Sequence, residues 1–164
     1  MIYEDILRDF KKQKVKYILV GGLAVNLHGA LRHTADLDIL VEMSDENLKK
    51  VIQTLKKKGY RVRQPVDPMG MAVKEIREDW IREKNMKAFN FYKDGELKEV
   101  DIIIRSPISY EKAKRGSVRV QAGDLTLPVM SINDLIRMKQ KAGRAVDLLD
   151  VSELKIIRKL KKHK

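Results

Sequence analysis

Asp36-Leu37-Asp38 precedes the apolar run Ile39-Leu40-Val41, and Asp101 stands inside a second apolar run, Val100 to Ile104. Residues i and i+2 of a strand share a face, so Asp36 and Asp38 project together while Leu37, Ile39 and Val41 face a core. Two carboxylates this close repel unless a cation or a shared proton holds them. Mg²⁺ suits the pair, because it takes carboxylate oxygens and keeps other positions for water and phosphate. The plainer alternative is a solvated pair where a strand begins, one Asp forming the turn. Asp101 weighs against it, since a charge in so apolar a strand is costly unless paired or coordinated. With this strand beside Leu37–Val41, three carboxylates converge on one face, a frame for two metal ions in phosphoryl transfer. Glu99 shares the face of Asp101 and is either a fourth acid or an exposed residue.

Other polar residues flank these acids. Gly21-Gly22 lies between an apolar strand and a segment of helical composition. Glycine there permits close backbone approach, and a helix start offers free N–H groups to a phosphate. No Gly-Lys-Ser/Thr follows, so this is not a Walker loop, and no GxGxxG dinucleotide fingerprint is present. Arg32 is either a phosphate clamp or a surface residue at a helix end, and Thr34 can orient Asp36 or a phosphate oxygen. His28 reads as a packing or capping residue and His33 as a loop residue.

The elements that must position these groups follow from periodicity and punctuation. Ile2, Ile6, Leu7 and Phe10 share a helical face, so residues 2–13 read as an amphipathic helix. Val15–Val20 is a strand, Gly21-Gly22 a turn, and Leu23–Leu31 helical. Leu37–Val41 is a second strand. A helix capped by Ser44 or Asp45 ends at Gly59, with acids in its first turn and lysines in its last. Pro65 and Pro68 break the chain, and Ala72–Arg77 reads as a strand. Met86–Tyr92 and Leu97–Ile104 form a hairpin around Asp94-Gly95. A short helix near Tyr110–Lys114 and strands Val118–Gln121 and Leu125–Pro128 follow. Ser131 or Asn133 caps a further helix with Leu135, Met138 and Ala142 as its stripe, Lys139 lying opposite that stripe or at its edge. Beyond Gly143, Val146, Leu149, Leu154, Ile157 and Leu160 continue at helical spacing. The sum is an α+β fold: a mixed sheet flanked by helices, with a helical C-terminal part. We expect one domain over 1–164, its core about 1–130 and its C-terminal helices about 131–164.

Composition narrows the partners. The 164 residues hold 35 Lys and Arg against 23 Asp and Glu, a net charge of +12 that favours nucleotides or nucleic acid. The alternative is a Lys/Glu-rich surface of the heat-stable style. With no cysteine, disulfides and thiolate metal sites are excluded. The charged N-terminus carries no secretory segment, and no apolar run approaches the ~20 residues that span a bilayer. By elimination, a cytoplasmic protein without a membrane partner is expected.

The order of these parts resembles the nucleotidyltransferase superfamily of DNA polymerase beta type. An apolar strand, Gly21-Gly22, thirteen residues, Asp36-Leu37-Asp38 and a later strand with Asp101 carry the likeness. The stretch GGLAVNLHGALRHTADLDIL is similar to a prokaryotic branch that includes abortive-infection and type IV toxin–antitoxin nucleotidyltransferases. A second block, Lys139 to Asp150, is similar to their Lys-x-x-Ala and Asp-x-x-Asp elements. The resemblance covers roughly residues 15–42, 97–104 and 131–155. It implies transfer of a nucleoside monophosphate from an NTP to a hydroxyl on RNA, such as a tRNA end, on a protein or on a small molecule. Asp36, Asp38 and Asp101 would hold Mg²⁺ or Mn²⁺ and carry catalysis. Gly21, Gly22, Arg32, Thr34 and Lys139 would bind nucleotide. Asp147 and Asp150 share one helix face and either pair with Arg144 or a lysine, or orient Lys139. A cognate antitoxin is a further implied partner; the oligomeric state is open. One departure stands out: Leu23 follows the glycine pair where the family often has a hydroxyl residue. A nucleotide- or RNA-binding module without turnover, or a toxin–antitoxin partner, is therefore the alternative.

Overall fold

The computed structural model describes residues 3–163. The chain order is helix α1 (Glu4–Lys12), strand β1 (Tyr17–Val20), α2 (Gly21–Leu27), β2 (Leu37–Val41), α3 (Asp45–Lys57) and the two-residue β3 (Arg61–Val62). A 3-10 turn (Pro68–Ala72), α4 (Lys74–Glu83), β4 (Ala88–Tyr92), β5 (Glu99–Ile103) and α5 (Tyr110–Gly116) come next. The chain closes with β6 (Val118–Ala122), β7 (Leu125–Val129), α6 (Ile132–Ala142) and α7 (Ala145–Lys162). The strands form one sheet in the order β3-β4-β5-β2-β1-β7-β6. β2 runs parallel to β5, and β1 parallel to β7, while the other neighbours are antiparallel. This is the mixed α+β arrangement expected from the sequence.

Central position explains composition. β1 lies between β2 and β7, and all four of its residues are buried, which is why it reads as an unbroken apolar run. β4 and β5 instead alternate buried and half-buried residues. α1 contributes Ile6, Leu7 and Phe10 to the core; Ile2, assigned to the same face, lies outside the described residues. The Ser44 hydroxyl accepts from the Asn47 N–H at the start of α3, and the Ser131 hydroxyl accepts from the Asp134 N–H at the start of α6. Gly143 ends α6 in the left-handed region, at φ 69°. Among the described residues no helix is long and apolar enough to cross a membrane.

Three expectations are corrected. Gly21-Gly22 is not a turn before a helix but the first two residues of α2, which ends at Leu27 rather than Leu31. Residues 72–77 are not a strand: the 3-10 turn, started by Pro68, leads into α4. The apolar signal there is weak because a charged side chain does the anchoring. Arg77 is buried and donates to the Met71 carbonyl at 2.6 Å, the Met43 carbonyl at 2.9 Å and the Asp45 carboxylate at 2.9 Å. Finally, the α7 stripe is split. Leu154 is fully buried, but Leu149 and Leu160 are 68% and 63% exposed, and Asp147 and Asp150 take the inward face.

Arg77 therefore ties α4 to the chain around α3. Arg77→Ala should cost about 2–3 kcal/mol, because two backbone carbonyls lose a charged donor. Chemical denaturation of variant and parent at one pH measures this.

Candidate active site

The parallel register of β2 and β5 sets Asp38 directly beside Asp101, with Leu37 beside Val100 and Ile39 beside Ile102. The two acids share a face of the sheet, and the apolar residues between them are fully buried. Asp36 ends the loop before β2 and is exposed. Burial, then the charges of Asp101 and Asp36, push the Asp38 carboxyl up to about 6; Lys139 and the Gly22 N–H pull the other way. Burial likewise raises Asp101, against a hydrogen bond from Asn90 and with Asp36 adding to the rise. The Asn90 amide donates to Asp101 at 2.7 Å from the register-opposed position on β4. Glu99 is not a fourth acid of this group, since Arg63 binds it.

The glycine pair meets these acids at the β1–α2 junction. Gly21 has φ 65° and faces Asp38 so closely that a Cβ would overlap its carboxylate. A Cβ on Gly22 would lie 2.7 Å from the Thr34 hydroxyl and 2.8 Å from Arg32 Nη1. The Gly22 N–H is turned onto Asp38, and α2 spans only two turns. The junction thus works through missing side chains and close approach rather than through a long helix dipole.

A cleft of about 140 Å³ opens beside this junction, lined by Gly21 and Asp38 on one side and by Lys139, Arg144 and Asp147 on another. Lys139 is not solvated at the edge of α6: it is 6% exposed. Its ammonium lies 2.6 Å from Asp150 and 3.5 Å from Asp147. Asp150 also accepts from Arg32 at 2.7 Å, and Asp147 from Arg144 at 2.7 Å. Burial acts to raise Asp147, but the Arg144 hydrogen bond and the charges of Lys139 and Arg144 hold its carboxyl below the usual range. This chain of five charges joins the loop after α2 to α6 and α7, and it is why α7 turns acids inward. His28 stays outside it, buried, its Nε2–H donating to the Met130 carbonyl at 2.8 Å, and His33 is an exposed loop residue.

All eight residues singled out in the sequence gather around the end of β1 and β2. Sequence reasoning did not find Asn90: a tight turn at Asp94-Gly95 would oppose Asp101 to Ala88, and the longer loop between β4 and β5 sets Asn90 there instead. It also did not find Tyr3, a buried residue whose hydroxyl lies within hydrogen-bonding distance of the Ala35 and Glu99 carbonyls. The donors Asp36, Asp38 and Asp101 are all oxygen, the choice of a hard divalent cation. Burial first, and neighbouring acid charges after it, raise the Asp38 and Asp101 carboxyls, and a bound divalent ion would offset both effects. Among the described residues no group of three or more His, Cys, Asp or Glu closes around a cation position.

The model for a nucleotidyltransferase family of unknown function (DUF6036) matches residues 1–163. The chain belongs to this family. It is therefore a nucleotidyltransferase, and its fold is shared with solved relatives. The chain is similar to the lincomycin-bound lincosamide antibiotic adenylyltransferase LnuA, with 23% identity, 93% of each chain covered and a TM-score of 0.62. It is also similar to ANT(2")-Ia in complex with adenylyl-2"-tobramycin, with 12% identity, 97% of this chain and 94% of that one covered, and a TM-score of 0.60. No curated protein sequence matches it.

Two outcomes follow from the charges of this nucleotidyltransferase. The Asp38 carboxyl lies above its unfolded value near 3.8, so it destabilises the fold progressively as pH rises through about 6 and costs nothing below both values. Without divalent ions, Asp38→Asn should raise the melting temperature near pH ~8 and leave it unchanged near pH ~3. A pH series of thermal melts checks the sign. Asp150→Asn should cost about 3 kcal/mol, since Arg32 and Lys139 then share no carboxylate. Denaturant unfolding measures that loss.

Proposed function

We propose that this chain is a metal-dependent enzyme transferring a nucleoside monophosphate from an NTP to a hydroxyl acceptor. The observation that carries the reading is the pairing of Asp38 with Asp101 in register beside Gly21, with Asp36 close enough to act on both. Asp36, Asp38 and Asp101 would hold Mg²⁺ or Mn²⁺. Such ions polarise the phosphoryl oxygens and lower the pKa of an attacking hydroxyl. The chain's own part is positioning and charge. The missing Cβ atoms let Asp38 close onto Gly21, and Thr34 and Arg32 onto Gly22, so the acids and these two polar groups meet at one junction where a triphosphate would bind. Lys139 and Arg144 bring positive charge to the cleft and Arg32 brings it to Gly22; Asp150 fixes where Arg32 and Lys139 point, and Asp147 holds Arg144. Asp101, raised in pKa and held by Asn90, would accept the hydroxyl proton.

The departure at Leu23 has a counterpart in space. Thr34 presents its hydroxyl against Gly22, which keeps a hydroxyl at the glycine pair although Leu23 follows it. The two structural neighbours are adenylyltransferases, which supports ATP as donor. An RNA end, a protein hydroxyl and a small hydroxyl compound all satisfy the acceptor chemistry, and an antitoxin would be a regulator of the same site.

The test is transfer of label from each α-labelled NTP, with Mg²⁺ or Mn²⁺, to total RNA, to protein and to small aminoglycoside or lincosamide alcohols. Transfer should fall at least ~100-fold in Asp36→Ala/Asp38→Ala, and its rate should rise with pH through the Asp38 range. NTP binding without transfer to any acceptor would sink the reading and leave the non-catalytic module.

A further inference from the structure

The net charge of +12 is not spent at the carboxylate cleft. Much of it sits on two other clefts that meet across the edge strand β6. One, of about 300 Å³, is lined by Lys11, Lys14, Lys16, Lys114 and Arg119. The other, of about 440 Å³, is lined by Arg119 again, with Arg158, Lys161 and Lys162. Among the described residues neither lining contains an acid. Two acids that act on lysines of the first cleft are already engaged, Glu42 by Lys16 at 3.0 Å and Asp124 by Arg8 at 2.6 Å. Lys11, Lys14, Lys114, Arg119, Lys161 and Lys162 make no ion pair among the described residues, and all six are exposed. So long a run of uncompensated cations is costly to the fold through mutual repulsion and is relieved by a polyanion.

We propose that this two-cleft surface is a track for a single strand of nucleic acid, with Arg119 as the bridge between its halves. A flexible backbone can bend over β6 and place successive phosphates in each cleft. An acidic protein would need an apolar anchor to bind well, and here Tyr17 and Tyr110 are buried, leaving Val118, 40% exposed, as the large apolar side chain on offer. The track begins at Tyr17, one end of β1, whereas Gly21 follows the other end, ~10 Å along the strand. It is a surface apart from the carboxylates, and its occupancy does not require transfer chemistry.

The test is fluorescence anisotropy with a labelled RNA of about 20 nucleotides and a DNA of the same sequence, over a salt series. Log affinity should fall linearly with log salt for the parent. Lys114→Glu/Arg119→Glu should weaken binding at least ~10-fold and flatten the slope by about 1–2, and Lys161→Glu/Lys162→Glu should do so independently. Asp36→Ala/Asp38→Ala should bind like the parent, so failure of the transfer reading leaves this result standing. Preference for RNA or for DNA identifies the strand; either supports the track. Absence of binding, a flat salt response, parent-like binding by either charge-reversal variant, or capture of poly-glutamate in place of nucleic acid overturns it.

Discussion

Two like charges held side by side are the constraint around which this molecule is built. The parallel pairing of β2 and β5 leaves Asp38 and Asp101 no means of separating short of breaking the sheet. Backbone hydrogen bonds and buried neighbours on both strands enforce the repulsion, and nearby groups soften it. Gly22 and Asn90 each direct a donor at one acid, and Lys139 adds a positive charge behind them. What remains uncompensated is negative charge of the kind that a cation relieves. Sites that store electrostatic strain in this way are where chemistry is expected.

The second organising interaction is the charge chain that runs from Arg32 through Asp150 and Lys139 to Asp147 and Arg144. Buried ion pairs seldom add much net stability, but breaking one is expensive, and so they fix geometry. Here they fix the rotation of α7. A helix of this composition left to its hydrophobic residues would turn Leu149 inward; the carboxylates override that preference. The result is an inward polar face beside the cleft and an outward face with Leu149 and Leu160 in solvent.

Much of this was legible in the sequence, and the limits were physical. The acids announced themselves because charges inside apolar period-2 runs are rare. β2 came out with its observed ends because its apolar run is bounded sharply. That β5 would lie next to β2 was a supposition, since strand order depends on contacts between distant segments and leaves no local trace. Residues 68–83 misled because their helix is anchored by Arg77, and a charged side chain carries no hydrophobic period. For Lys139 the sequence left two places, opposite the apolar stripe or at its edge, and offered Asp147 and Asp150 as groups that orient it; its burial depends on those partners arriving from eight and eleven residues away, which only the fold shows. Neither Asn90, whose partner depends on the length of the β4–β5 loop, nor Tyr3 was within reach of counting along the chain.

Tyr3 has a practical consequence. Its hydroxyl sits between the Ala35 and Glu99 carbonyls, so one side chain clasps the loop that ends in Asp36 and the start of the strand that carries Asp101. Tyr3, just before α1, is thus a fastener for two parts of the site that lie far apart in the chain. Trimming it to improve crystals, or fusing an affinity handle close against it, would loosen the acids while leaving the rest of the sheet intact. A preparation that looks folded and well behaved would then misreport the enzyme.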